Sequence, residues 1–228
     1  MTRKPQNQFT LLFGIALILT ATSPLEATTL KLMNLADLVE NSTRIFTGIC
    51  QEVSTGLDEN NLPYTSYSFR VTDSLYGMTN QQVVVVKQFG LREPIQLANG
   101  LTQVTRIEGM PHYVPGSEYM LLLNKESSLG FSAPIGLVQG AFLVQAKGSY
   151  RTVVNGMGNA NLLIDTSKTT RQRYQERQQN LLRAVPLSLP DERVRGPVSY
   201  DNFANLVRSL LAGEPLDAAA ASRLLGMR

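Results

Sequence analysis

Apolar and polar positions alternate with a period of two through the first two thirds of the chain, and then the period lengthens. From Thr43, the residues Ile45, Thr47, Ile49 and Gln51 alternate with Phe46, Gly48, Cys50 and Glu52. β-formers dominate both sets, which predicts a strand, and Gly48 in its middle predicts a bulge or tight bend. Tyr64–Leu75 predicts a second strand, with Tyr67, Phe69, Val71 and Asp73 on one face and Ser66, Ser68, Arg70 and Thr72 on the other. Gln82–Phe89 is a continuous β-branched run, the pattern of a strand buried on both faces. Leu101–Ile107 predicts a shorter strand and Glu118–Leu123 a core strand, while Ile135–Val144 and Tyr150–Val154 predict a hairpin across Ala146–Ser149. Polar or mixed stretches, Gly56–Pro63, Gly90–Gly100 and Lys125–Ala133, separate them as loops.

Helical spacing appears at the two ends of this β region. Leu35–Glu40 predicts one short helix with Asn34 as its N-cap. After Thr169, Arg171–Val185 is polar and helix-prone, and Pro186–Pro197 holds three prolines and predicts an extended connector. Ser199–Ala212 predicts an amphipathic helix with Phe203, Leu206, Val207, Leu210 and Leu211 in one stripe, Gly213 as its C-terminal cap, and a last Ala-rich helix from Asp217 to Leu225. The fold class that follows is mainly β: an antiparallel barrel of five to seven strands with a C-terminal helical appendage.

The first residues change the compartment. Arg3 and Lys4 precede an apolar run, Phe9–Ala21, and small residues lead to Ala27, which predicts an export signal over residues 1–27. The run falls short of the roughly 20 residues a spanning helix needs, so no stable membrane insertion is expected after its removal. Residues 28–165 are then the β domain and 166–228 the helical extension, and the protein is expected in the periplasm or outside the cell. A single cysteine, Cys50, allows no intramolecular disulfide, and its alternating apolar setting predicts a small core residue. The net charge of +3 is unevenly spread: residues 28–167 carry nine basic and eleven acidic side chains, residues 168–228 ten and six.

Composition excludes several chemistries. One histidine and one cysteine far apart do not make a structural zinc site, and Asp58–Glu59–Asn60–Asn61 reads as a solvated turn without EF-hand spacing. Gly136 and Gly140 lack the Lys-Ser/Thr and helix start of a phosphate loop, so no cofactor is implied. A slightly acidic strand region behind an export signal argues against nucleic acid as partner. The most distinctive stretch is Gly109–Asn124, GMPHYVPGSEYMLLLN, with two Pro/Gly turns, the sole histidine and the core strand. Its first half, Gly109, Met110, Pro111, His112, Tyr113, Pro115 and Gly116, is the candidate binding loop. His112 and Ser117 also define an alternative, a hydrolase pair, although no nucleophile elbow accompanies them.

Four stretches carry a resemblance: LADLVENSTRIFTGIC (35–50), YTSYSFRVTDSLYG (64–77), IEGMPHYVPGSEYMLLL (107–123) and GLVQGAFLV (136–144). Together they resemble a family of exported bacterial proteins of unassigned activity, marked by a GMPxxxPGxxYxLxL motif. The order of elements is more distantly similar to netrin-like modules and tissue inhibitors of metalloproteinases, which implies an OB-like (netrin-like) barrel. Those inhibitors chelate their target's zinc through an N-terminal cysteine that the mature chain lacks, so the resemblance implies fold and no site residues. The expected function is an exported, non-catalytic binding or accessory module engaging an envelope or extracellular protein. The alternatives are the His112–Ser117 hydrolase and a protease-interacting module acting through its loops.

Overall fold

The computed structural model describes residues 31–78, 83–164 and 196–225. The stretches expected to form an export signal (1–27), a polar helix (171–185) and most of an extended connector (186–197) lie outside the described residues.

Helix α1 (Leu35–Glu40) starts as its sequence predicts. The Asn34 side chain accepts from Asp37 N, and the Asp37 side chain accepts from Asn34 N, a reciprocal capping box. Strands β1 (Arg44–Leu57) and β2 (Pro63–Tyr76) then form one long hairpin. Asp58 closes it: Oδ1 accepts from the Asn60 and Leu62 amides at 2.9 Å, and Oδ2 meets Lys87 Nζ at 2.8 Å. The acidic tip is therefore an Asx-type turn whose carboxylate is already committed.

Strands β3 (Val83–Phe89), β6 (Glu118–Leu123), β7 (Ala141–Lys147), β8 (Tyr150–Asn155) and β9 (Val198–Ser199) complete a seven-stranded antiparallel sheet in the order β3-β2-β1-β6-β7-β8-β9. Strands β4 (Ile95–Gln96) and β5 (Thr102–Gln103) form a separate two-stranded ribbon. The chain is thus mainly β with C-terminal helices, α2 (Tyr200–Leu211) and α3 (Ala218–Leu224). No closed ladder joins the two ends of the sheet among the described residues. One isolated parallel bridge, Lys87 with Phe131, ties edge strand β3 to the β6–β7 connection.

Strand β1 is the sheet's shared member. It pairs with β2 along its length and with β6 over Arg44–Ile49, and its register against β2 slips at Ile45/Phe46, Thr47/Gly48 and Cys50/Glu52. These bulges coil the sheet. Gly48 fits one of them because a side chain there would sit 3.0 Å from the Arg70 carbonyl oxygen and 3.2 Å from the Phe46 ring.

Coiling gives the sheet two buried faces. On one, Ile45, Met120, Leu122, Phe142 and Val153 pack with Leu35 and Leu38 of α1 and with Phe203 and Val207 of α2. On the other, Phe46, Cys50, Tyr67, Phe69, Tyr113, Tyr119 and Leu121 form an aromatic-rich core. Strand β6 contributes alternate residues to both, so its apolar run is explained by packing alone.

Four local expectations need correction. Val83 and Val85 of β3 are each 56 % exposed, so this β-branched run is an edge strand buried on one face. Ile135–Gly140 is a turn and a 3-10 helix (Leu137–Gln139), not strand, because Gly136 (φ 62°) and Leu137 (φ 57°) are left-handed. Gly140 lies directly against the Ile135 carbonyl, where no side chain fits. Of Leu101–Ile107, only Thr102–Gln103 pairs, and its partner is Ile95–Gln96. Val198–Ser199, at the junction between the expected connector (Pro186–Pro197) and the expected helix (Ser199–Ala212), instead adds β9 to β8.

The C-terminal helix α2 is integral to this packing. Ser199 caps it, and Tyr200, Phe203, Ala204 and Val207 form its buried face at helical spacing. Gly213 ends it in a Schellman motif, with Gly213 N on Leu210 O at 3.0 Å and Glu214 N on Ser209 O at 3.1 Å. Tyr200 Oη donates to Asp73 Oδ2 at 2.8 Å and lies 3.0 Å from Thr47 Oγ1. Arg208 grips the same carboxylate at 3.0 and 3.2 Å, and Arg151 stacks 3.7 Å from the Tyr200 ring centroid.

Candidate binding site at the Gly109–Gly116 loop

The loop is pinned at several points. Met110 N bonds Ile107 O at 3.1 Å with Gly109 at φ 75°, and Ser117 N bonds Val114 O at 3.1 Å with Gly116 at φ 84°. Each is a turn whose third residue needs positive φ, the conformation that glycine adopts without steric cost. Between and beside these turns, Val138 N bonds Gly109 O, while Gly116 N and Ser117 O pair with the Cys50 carbonyl and amide at 2.8 and 2.9 Å. Tyr113 drives its ring fully into the aromatic core, edge-on to Tyr67 (4.7 Å), Tyr119 (5.0 Å) and Phe69 (5.2 Å).

This anchoring sets His112 at the mouth of a cavity of about 220 Å³. Its walls include Tyr67 of β2, Gln88 of β3, Leu91, Arg106, Glu108 and Met110. Tyr67 Oη lies 3.2 Å from His112 Nδ1, and Gln88 Nε2 donates to Tyr113 Oη at 3.4 Å. Arg92 flanks the same region, with Nη1 donating to the Tyr113 carbonyl at 3.3 Å. The Gly90 segment is fixed by Thr65, which donates to Gly90 O at 2.9 Å and accepts from Arg92 N at 3.0 Å.

Electrostatics keep this site's groups in defined protonation states. Burial holds the His112 ring below its ordinary value, and the Arg92 and Arg106 guanidiniums lower it further. Burial pushes the Tyr67 phenol up to about 12 and Tyr113 well above the ordinary tyrosine value. At neutral pH the pair is therefore a neutral imidazole against a protonated phenol. When the phenol donates to Nδ1, the ring carries its hydrogen on Nε2. Burial also raises the Cys50 thiol, opposed by Arg92, so it stays protonated at neutral pH.

The sign of the resulting pH dependence follows directly. The unfolded chain binds a proton at His112 more readily than the folded one, so stability is unaffected above about pH 6.5 and declines as pH falls through the window below it. His112→Asn is expected to flatten the stability curve between pH 7 and 5, read by denaturant titration at each pH. An unchanged slope in that window would remove His112 as its source.

The candidate residues divide on inspection. Gly109, Met110 and His112 line the cavity, Tyr113 is core, and Pro115–Gly116 shape the second turn away from it. No hydrogen bond joins Ser117 to His112: the ring's partner is Tyr67, and the Ser117 carbonyl accepts from Cys50 N. Tyr67, Gln88, Arg92 and Arg106 are members that sequence pattern alone does not bring together. In the same Gly90–Gly116 segment, Leu101 (63 %), Val104 (60 %) and Val114 (52 %) are largely exposed, and Ile107, which lines the cavity, is 38 % exposed. No helix of the described residues is long and apolar enough to cross a membrane. Comparison with protein-family models, curated proteins and solved structures returns no match.

Proposed function

We propose that the protein is an exported binding module that engages another envelope or extracellular protein through the face built by Gly90–Gly116. One observation carries the reading: the Gly90–Gly116 segment, pinned to the sheet, exposes Leu101, Val104, Ile107 and Val114 and also supplies most of the lining of a polar cavity. Clustered exposed apolar groups rimmed by polar ones characterise interaction surfaces. Export rests on the sequence of residues 1–27.

The finer fold reading is an OB-like, netrin-like module. It is supported by the bulged β1 paired to both β2 and β6, by the β6–β7 pairing, and by the parallel Lys87–Phe131 bridge reaching across the open side. An OB-fold is a partly open Greek-key barrel, and its loops are its customary binding elements.

The test is capture from the native extracytoplasmic fraction with immobilised residues 28–228. A partner retained by the unaltered chain is expected to be lost on the Leu101→Asp/Val104→Asp double variant, with a thermal midpoint nearly unchanged. A partner held equally by both, or no partner alongside turnover of a small molecule, would overturn the reading.

A further inference from the structure

We infer that the cavity beside His112 is a carboxylate-binding site, receiving an acidic side chain or chain terminus between Arg92 and Arg106. The inference rests on the Gly90–Gly116 face being the docking surface and adds the chemistry of the group that anchors there.

The two arginines at this site carry no ion pair among the described residues. Among the described residues, Arg44, Lys87, Arg151 and Arg208 each meet a carboxylate at 2.8–3.3 Å. Neither Arg92 nor Arg106 has such a partner among the described residues. Arg92 spends one nitrogen on the Tyr113 carbonyl, and Arg106 stands exposed on the cavity wall. Arg106 lines the cavity with His112, Arg92 reaches the carbonyl of the neighbouring Tyr113, and both cations add to desolvation in disfavouring a proton on His112. Arg106 and Glu108 are the charged residues lining the cavity, and Arg92, held on the Tyr113 carbonyl next to His112, adds a second cation beside it. A planar guanidinium presents a donor fork that matches a carboxylate, and the neutral His112 ring adds a donor at Nε2 when Tyr67 holds Nδ1.

Size narrows the ligand further. A cavity of about 220 Å³ is smaller than the roughly 300–1,000 Å³ of a typical small-molecule site. It suits one functional group better than a whole metabolite. The exposed Leu101, Val104 and Val114 of the same segment are then available to the chain that carries this group.

The experiment titrates the isotope-labelled protein with three capped tripeptides and follows the His112 ring, Tyr67 and Arg106 signals by NMR. N-acetyl-Ala-Glu-Ala-amide presents a side-chain carboxylate, N-acetyl-Ala-Ala-Ala with a free C-terminus presents a terminal one, and N-acetyl-Ala-Gln-Ala-amide presents neither. Saturable shifts at these signals are expected with one or both carboxylate peptides, and the responding peptide identifies the source. The Gln peptide is expected to produce none. Arg106→Gln, whose side chain makes no hydrogen bond among the described residues, is expected to weaken the binding about tenfold while the fold persists. Equal response to all three peptides, no saturable response, or affinity unchanged in Arg106→Gln would overturn the inference. Partner capture that depends on Leu101 and Val104 but not on Arg106 would leave the docking face standing and remove the carboxylate anchor. Carboxylate binding at the cavity without loop-dependent capture would do the reverse.

Discussion

Replacing Phe203 by alanine is expected to destabilise the domain by about 3–5 kcal/mol, the range for truncating a buried phenylalanine. The ring is fully buried, sits 4.8 Å from the Phe142 ring, and shares a cluster with Ile45, Met120, Leu122 and Val153 from three further strands. Loss of that ring leaves a cavity walled by the sheet on one side and α1 on the other, where neither can collapse without breaking ladder hydrogen bonds. The midpoint of urea unfolding measures it directly. Leu210→Ala on the same helix is expected to cost less, because Leu210 only flanks the cluster and keeps partial solvent contact. Equal losses at the two sites would mean that the buried face of α2 is misassigned.

The second large effect belongs to a buried amide network that contains no charge. Asn155 Nδ2 donates to Gln139 O at 3.0 Å and Asn161 Oδ1 at 3.2 Å, and its Oδ1 accepts from the Met157 and Asn159 amides at 3.0 and 2.9 Å. Gln139 and Asn161 extend the network to the segment preceding α1, bonding Lys31 O, Met33 N and Met33 O, while Asn159 reaches Gly196 O. Four separate segments are thereby fastened by primary amides, whose paired donors and acceptors satisfy buried backbone without a desolvated charge. Asn155→Ala orphans several of these groups at once. With about 1–3 kcal/mol for each unsatisfied buried group, a loss of roughly 3 kcal/mol or more is expected by thermal or denaturant unfolding. A loss below about 1 kcal/mol would show that water or local rearrangement replaces the network.

The legible parts of the fold were those encoded by neighbours in sequence. Asn34 announced the start of α1, alternation in Tyr64–Leu75 placed Tyr67, Phe69 and Val71 on the core side, and the unbroken Tyr119–Leu123 run marked a strand between two cores. The bend at Gly48 and the cap at Gly213 were readable because only glycine fits those backbones. Strand β3 misled because VVVV gives no information on whether a neighbour strand or solvent lies beyond it. Ile135–Gly140 misled because β-branched and apolar residues also line tight turns that sheet packing buries. At the candidate site, the loop itself was conspicuous, but its chemistry was not. Tyr67 and His112 are 45 positions apart and meet only because β2 and the loop share one aromatic core. Arg92 lies in a mixed loop and Arg106 in a stretch read as a short strand, and neither pattern couples its residue to the histidine. The buried Asn155, Asn159 and Asn161 have no local signature, because a polar loop and a buried amide network share the same composition.

The proposal of a binding face at Gly90–Gly116 is tested most directly by amide hydrogen exchange on residues 28–228, alone and with the captured partner. Protection gained on binding is expected to concentrate in 90–116, strongest around Leu101–Ile107 and His112–Val114, with the β1–β6 ladder unchanged. Protection confined instead to the open edge of β3, or to α2 and α3, with 90–116 exchanging as in the free protein, would contradict it.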